Sequence, residues 1–146
     1  MPDVSFYILA SESLQERYLF ACKLIEKAYR SGHYCYVLTD NADQSQYMDD
    51  LLWTFRAGSF IPHQIYTGER PDFEKAILIG SLNAPEAWQK TVVNLSSACP
   101  QTFANADRIL EILDNSETTK VAGRQRYRHY QQAHIAITTH KINPAG

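Results

Sequence analysis

The sequence predicts an α/β protein in which helices cover both faces of a mostly parallel sheet, giving a three-layer domain. Two observations predict this class. Strand and helix patterns alternate over residues 4–55, the order of a parallel sheet with right-handed crossovers, and short β-branched runs follow later in the chain. Since 146 residues suit one hydrophobic core, we expect residues 1–146 to form a single domain.

The first two pairs of strand and helix have the clearest patterns. DVSFYILA at 3–10 indicates a buried strand, because a short β-favouring run stops at a polar turn. From Leu14 to Tyr29 apolar residues recur three and four apart, which predicts an amphipathic helix closed by Gly32. HYCYVLTD at 33–40 predicts a second buried strand, and the periodic segment from Asp43 to Phe55 predicts a second helix.

The later elements have weaker patterns. AILIGS at 76–81 and TVVNLSS at 91–97 are typical of strands, and HQIYTG at 63–68 is a weaker candidate, so we expect five strands. After Pro100 apolar residues recur at helical spacing as far as Leu113, which predicts a helix there and a second one from about Glu117 to His134. Residues 138–142 suggest a short edge strand before a frayed NPAG tail.

Composition favours a cytoplasmic protein. No apolar run approaches the roughly 18 residues of a membrane span, and MPDVSFYILA carries an acid where a signal peptide carries Lys or Arg. Cys22, Cys35 and Cys99 are odd in number and show no CxxC spacing, so we expect reduced thiols rather than disulfides or a zinc site.

The sequence offers no assembled catalytic group. The turns after the first two strands, ASESLQ and TDNADQ, contain neither GxGxxG nor a P-loop, so we expect no nucleotide-binding glycine loop and no cofactor. Ser59 and Ser81 follow glycines but lack the GxSxG turn of a nucleophile, and the five histidines form no HxH or HExxH pair. An enzyme with a degenerate nucleotide site near Asp40 is an alternative interpretation.

Positive charge is concentrated near the end of the chain. Residues 1–117 hold nine Lys or Arg against sixteen Asp or Glu, whereas residues 118–146 hold five Lys or Arg and no acid. The net charge of −2 therefore hides a local basic region. Such a distribution favours one anion-binding patch over a surface that wraps nucleic acid.

The stretch GRQRYRHYQQAH at 123–134 carries most of this charge. On a helix, Lys120, Arg124 and Arg128 lie four apart and Tyr127 lies three after Arg124, so the four project from one stripe. Arginine binds a carboxylate in two parallel hydrogen bonds, which favours a short acidic peptide as the partner. The alternatives are direct binding of single-stranded nucleic acid, with tyrosine as a stacking platform, and a solvated basic face without a partner.

The same helical spacing places the residues of 123–134 on two different sides of the helix. Arg126 and Tyr130 fall on another side of the helix and are expected to point away from the stripe.

Large aromatic residues cluster in LLWTFRAGSFIPH at 51–63. A helix is expected to end near Phe55, and Phe60, Ile61 and Pro62 follow in the loop. Either the cluster folds onto the protein's own core, or it is a hot spot for a protein partner, since large aromatics in a loop are harder to cover from within.

Taken together, several segments resemble one known family. The FY of the first strand, LLWTF followed by SFIPH, VVNL before a Pro-bounded turn, DRILEIL and GRQRYRHYQQAH occur in an order and spacing similar to the chi subunit of the bacterial DNA polymerase III holoenzyme. The resemblance covers nearly the whole chain. It implies a non-catalytic accessory subunit of the clamp-loader complex with a Rossmann-like fold that lacks the nucleotide-binding loop.

The resemblance also implies two binding surfaces. In that family one surface holds the acidic C-terminal tail of single-stranded DNA-binding protein, and so reaches DNA indirectly. The matching positions here are Leu113, Lys120, Arg124, Tyr127 and Arg128. A separate surface binds the psi subunit of the clamp loader or, in competition with it, an XPD-like helicase, and its matching positions are Trp53, Phe60 and Pro62.

Overall fold

Seven strands form one parallel sheet in the computed structural model, which describes residues 2–58 and 60–142. Ser59 and the predicted tail at 143–146 lie outside the described residues. The strands are β1 (Asp3–Leu9), β2 (Cys35–Leu38), β3 (His63–Ile65), β4 (Ile77–Gly80), β5 (Thr91–Asn94), β6 (Arg108–Leu113) and β7 (Ala136–Ile142). Their order across the sheet is β3-β4-β2-β5-β6-β1-β7, and every neighbouring pair is parallel.

Three α-helices cross over the sheet: α1 (Leu14–Arg30), α2 (Ala42–Thr54) and α3 (Glu117–Gln132). Each begins at a polar N-cap whose side chain accepts a backbone N–H from the first turn, namely Ser13, Asn41 and Ser116. Two short 3₁₀ helices lie at Glu86–Trp88 and Phe103–Asn105. No helix in the described part of the chain is long and apolar enough to span a bilayer.

The helices lie on both faces of the sheet. On one face α1 and α2 pack together, with Ile25 and Met48 in the same buried cluster. On the other face Tyr130 of α3 packs against Phe6 of β1, and Trp88 of the first 3₁₀ helix packs against β2. The three-layer, Rossmann-like fold predicted from the sequence is therefore confirmed, with an entirely parallel sheet.

Residues 108–113 form a strand, so the predicted helix between Pro100 and Leu113 is wrong. β6 lies between β5 and β1 and is buried on both faces, so its apolar residues do not alternate with polar ones. Such a short run fits a helical spacing as readily as a strand. With β6 and the edge strand β7 included, the sheet has seven strands rather than the predicted five.

A buried ionic network joins α3 to the centre of the sheet. Arg126 donates from Nε to Oε1 of Glu111 over 2.9 Å, while the Tyr130 hydroxyl and Asn94 Nδ2 donate to Oε2 over 2.7 and 2.9 Å. Burial, followed by the charge of Glu111, raises the pKa of the Tyr130 hydroxyl far above its ordinary value. The prediction that Arg126 and Tyr130 point away from the stripe is confirmed.

Candidate functional site

A cavity of about 250 Å³ lies between α3 and the part of the sheet formed by β6, β1 and β7. We call it the α3 pocket. Its lining residues are Phe6, Ile8, Leu113, Lys120, Gly123, Arg124, Tyr127 and Thr139. The strands supply an apolar floor and the helix supplies two cations, so the pocket can receive an apolar side chain next to an anionic group.

Gly123 allows α3 to lie close to β6 at this point. A Cβ added to Gly123 would lie 2.6 Å from Cδ1 of Leu113, closer than carbon atoms approach without displacement. The Tyr127 ring packs against Phe6 with 5.4 Å between ring centroids. Leu113, Phe6 and Tyr127 are thus held in place by contacts of the fold itself, which gives the apolar part of the pocket a defined shape.

The two cations of the pocket are near the surface and share one acidic neighbour. Arg124 is exposed and Lys120 is partly exposed. Glu117, in the first turn of α3, lies 3.8 Å from Lys120 Nζ and 3.9 Å from Arg124 Nη1. Ion pairs this exposed contribute about 0–1 kcal/mol, so an incoming carboxylate competes with Glu117 at little cost.

The structure brings together most of the residues predicted for this site. Leu113, Lys120, Arg124 and Tyr127 all line the α3 pocket. Arg128 is exposed on the same helix but is not a lining residue.

Four lining residues were missed from the sequence: Phe6, Ile8, Gly123 and Thr139. The FY pair of β1 was noticed only as part of the family resemblance. Identifying Phe6 and Ile8 as floor residues requires knowing that β1 lies between β6 and β7.

The second predicted surface is an exposed aromatic pair beside the edge strand β3. Trp53 of α2 is 49% exposed and Phe60 is 61% exposed, with 5.6 Å between their ring centroids. Ile61 is buried in the core, whereas Pro62 is partly buried. We call Trp53, Phe60 and Pro62 the Trp53 patch. The protein's own core covers Ile61 and leaves Trp53 and Phe60 about half exposed.

A buried histidine supports the Trp53 patch from below. The His63 ring lies 4.5 Å from the Trp53 ring, between centroids. Its Nδ1 lies 2.7 Å from the carbonyl oxygen of Ile61, and its Nε2 lies 3.3 Å from Oδ1 of Asp49. The Asp49 carboxylate is partly buried beside this ring, with its side chain 20% exposed.

The described residues contain no cluster of three or more His, Cys, Asp or Glu side chains arranged to hold a metal ion. The three thiols are free, and burial raises the pKa of both Cys22 and Cys35 to about 12.

Comparison with solved structures shows the fold alone. The crystal structure of T4 UvsW superimposes with a TM-score of 0.67 and 13% identity, over 97% of this chain. The chain spans 41% of the length of that structure.

Comparison with sequences shows the family. The chain is 28% identical over 142 residues to the DNA polymerase III subunit chi of Pseudomonas aeruginosa, covering 97% of this chain and 98% of that protein. It is 22% identical over 144 residues to the DNA polymerase III subunit chi of Escherichia coli, covering 95% of this chain and 97% of that protein. The model of the family described as DNA polymerase III chi subunit, HolC, matches residues 1–138. The chain therefore belongs to the family of DNA polymerase III chi subunits, which are accessory subunits of that polymerase.

Proposed function

We propose that the α3 pocket binds the acidic C-terminal tail of single-stranded DNA-binding protein and thereby links the clamp-loader complex to protein-coated DNA. One observation carries this proposal: an apolar floor of Phe6, Ile8 and Leu113 lies in the same cavity as Lys120 and Arg124. A peptide that ends in an apolar residue presents its side chain and its terminal carboxylate next to each other. The pocket offers an apolar floor for the side chain and two cations for the carboxylate.

Arg124 is the partner of the terminal carboxylate in this proposal. Its guanidinium can donate two parallel hydrogen bonds, and a charge-assisted bond contributes about 1.5–3 kcal/mol when shielded from water. The terminal side chain enters between Leu113 and Tyr127, where full burial contributes roughly 1.5–3 kcal/mol. Allowing for the entropy of association, a small interface of this kind should reach micromolar affinity, about −8 kcal/mol.

Lys120 and Arg128 attract the acidic residues that precede the terminus. Lys120 lines the pocket, whereas Arg128 lies outside it on the same helix. Arg128 therefore acts over a longer distance through solvent, where salt screens the attraction. We expect its contribution to disappear at high ionic strength while part of the Arg124 contribution is retained.

The Trp53 patch is the docking surface for the psi subunit or, in competition with it, an XPD-like helicase. Large exposed aromatic side chains are typical of the centre of a protein interface. The patch lies at β3 and the α3 pocket lies at β7, which are the opposite edges of the sheet. One chain could therefore hold both partners at once, as an adaptor must.

The tail assignment is tested by calorimetry with a synthetic tail peptide. Arg124→Ala should reduce affinity by at least tenfold with an unchanged melting temperature, because the exposed guanidinium contributes little to stability. Arg70→Ala, an exposed arginine outside both surfaces, is the matched control. Amidating the peptide terminus should weaken wild-type binding strongly and binding to Arg124→Ala only slightly. Normal affinity for Arg124→Ala would overturn the assignment.

The second surface is tested independently. Trp53→Ala should abolish capture of the psi subunit or the helicase while tail-peptide affinity stays unchanged. Loss of both activities would indicate misfolding, which circular dichroism would detect. Retained capture of both partners by Trp53→Ala would contradict the patch assignment.

Direct binding of single-stranded nucleic acid is the alternative. Two observations count against it: Arg126 is buried and pairs with Glu111, and the Tyr127 ring lines the α3 pocket in tilted contact with Phe6. Titration with a bare oligonucleotide distinguishes the two, because direct binding predicts a steep fall in affinity with salt and no need for the protein tail.

A further inference from the structure

A second cavity, of about 210 Å³, opens at the carboxyl ends of the strands. β1 and β6 are neighbours, yet α1 leaves β1 for one face of the sheet and α3 leaves β6 for the other. The gap between two such diverging helices is where open α/β sheets bind ligands. Residues from the first turns of α1 and α3 line the cavity, together with residues that follow β2 and β5. We call it the switch-point cavity.

Two buried arginines line this cavity. Arg17 is 6% exposed and Arg126 is 3% exposed. Arg17 donates from Nε to the carbonyl of Ile112 over 2.7 Å and from Nη2 to that of Leu95 over 3.3 Å, which uses two of its five N–H donors. Arg126 is held by Glu111 and by the carbonyl of Ser97, but its buried Nη2 donates to no acceptor among the described residues.

An unpartnered guanidinium nitrogen at this depth is costly, since a buried donor without an acceptor destabilises a fold by about 1–3 kcal/mol. The second arginine adds to the positive charge at the site. Burial lowers the pKa of Arg17, and the charge of Arg126 lowers it further, whereas Tyr18, Asp114 and Glu111 act in the opposite direction. An oxyanion bound in the cavity would accept a hydrogen bond from Arg126. Its negative charge would also reduce the repulsion between the two positively charged guanidinium groups.

Hydroxyl groups complete the lining, and they come from Ser96, Ser97, Thr118 and Thr119. Ser96 donates to Asn94 Oδ1 and Ser97 donates to Asp40 Oδ1, which leaves the two threonine hydroxyls as neutral donors for a ligand. The N-termini of α1 and α3 both lie at the cavity, and helix N-termini favour anions. One acid, Asp40, also lines it, and its Oδ1 accepts from the backbone N and the hydroxyl of Ser97 over 2.8 and 2.9 Å.

We propose that the switch-point cavity binds a phosphate group between Arg17, Arg126 and the first turn of α3. A tetrahedral phosphate has several acceptor oxygens and suits donors that converge from different directions. The turns after β1 and β2 contain no glycine, so side chains rather than a glycine loop would surround the phosphate. This site is separate from the α3 pocket and does not depend on the proposed tail binding.

The test uses the full chain with inorganic phosphate and with adenosine monophosphate as probes, at constant ionic strength. Binding is followed by NMR through the Nε–H signals of Arg17 and Arg126, which should shift on titration. If adenosine monophosphate binds more strongly than inorganic phosphate, the natural ligand is a nucleotide. If the two probes bind equally, the natural ligand is free phosphate. Either result supports the site. Unchanged arginine signals with both probes would overturn it.

Variants that preserve the fold locate the site. Thr118 is exposed in the first turn of α3, where a glutamate favours the helix, so Thr118→Glu should fold normally and weaken phosphate binding at least tenfold. Gln15→Glu makes the same change in the first turn of α1, outside the lining, and should have a much smaller effect. Equal losses in the two variants would contradict the proposal.

Two further variants complete the test. Asp40 is the acidic residue in the described lining of the cavity, and its charge repels an anion. Asp40→Asn should therefore strengthen phosphate binding several-fold. Arg124 lines the α3 pocket and not the switch-point cavity, so Arg124→Ala should leave phosphate binding unchanged. Loss of phosphate binding in Arg124→Ala would show that phosphate binds at the α3 pocket, and it would refute the proposal for the switch-point cavity.

Discussion

Gly123 lies where α3 comes closest to β6, and the space left by its missing side chain is filled by Leu113. We predict that Gly123→Ala folds but displaces Leu113 into the α3 pocket. Alanine gains up to about 1 kcal/mol of helix propensity, which offsets part of the roughly 1–3 kcal/mol of overpacking. Stability should therefore fall by about 0–2 kcal/mol, whereas tail-peptide affinity should fall about tenfold.

Calorimetry and urea unfolding check this prediction, with Gln125→Ala as an exposed control on the same helix. An unchanged affinity in Gly123→Ala would mean that the shape of the floor does not matter for binding.

Glu117 is the acidic neighbour of both Lys120 and Arg124, so in the proposed complex it competes with the peptide carboxylate. Removing its charge in Glu117→Gln should strengthen tail binding several-fold, mainly by raising the association rate at low salt. Stopped-flow measurements at two ionic strengths test this, with Glu86→Gln as a distant control of equal charge change. A weaker complex in Glu117→Gln would show that this acid assists the peptide.

Helical spacing alone was enough to group Lys120, Arg124 and Tyr127 and to separate Arg126 from them. This worked because all four residues belong to one element, in which sequence distance fixes direction. Phe6 and Thr139 lie far away in sequence, and they reach the pocket only through the order of the strands. The spacing of residues along the sequence gives no information about the order of the strands in the sheet.

The contact between α3 and β6 depends on the buried pair of Arg126 and Glu111. Glu111→Gln leaves the guanidinium without its counterion, so we expect a loss of about 3–5 kcal/mol in the free energy of unfolding. Tyr130→Phe removes one hydrogen bond to the carboxylate and should cost about 1.5–3 kcal/mol.

Urea denaturation measures both losses, with the exposed Glu12→Gln as control. A change in Glu111→Gln no larger than the control would show that the pair contributes nothing to stability.

At the scale of elements, prediction succeeded for segments with caps and clear periodicity and failed for β6. α1, α2 and α3 begin within a residue of the positions expected from their patterns. β6 was taken for a helix because the apolar residues Ile109, Leu110 and Leu113 also fit a helical spacing. The polar residue between them, Glu111, fits the same spacing as part of a polar helix face. Its carboxylate is instead buried against Arg126, and that pairing becomes visible only when α3 is placed on the sheet.

Stability of the whole molecule should fall in alkaline solution because its thiols are kept neutral by burial. The pKa of Cys35 is raised to about 12 and that of Cys99 to about 11. A group with a raised pKa stabilises the fold fully below its unfolded pKa, about 8.5–9, and this stabilisation is lost as pH rises towards the folded value. At about pH 10.5 the loss for Cys35 is about 2 kcal/mol.

Urea unfolding under reducing conditions at about pH 8 and about pH 10.5 measures this loss in wild type and in Cys35→Ala. The variant should be less stable at both pH values because of its cavity, but its stability should fall less between them. Parallel declines in the two proteins would show that this thiol does not set the alkaline limit.

The position of β1 between β6 and β7 has a consequence for biosynthesis. β1 leaves the ribosome well before both of its partners, which begin at Arg108 and Ala136. Until then its backbone N–H and C=O groups and its apolar side chains have no native partners, since the sheet closes only through non-local pairing. A nascent chain stalled before residue 108 should therefore bind a general chaperone through its N-terminal segment, and release should follow once α3 and β7 are complete.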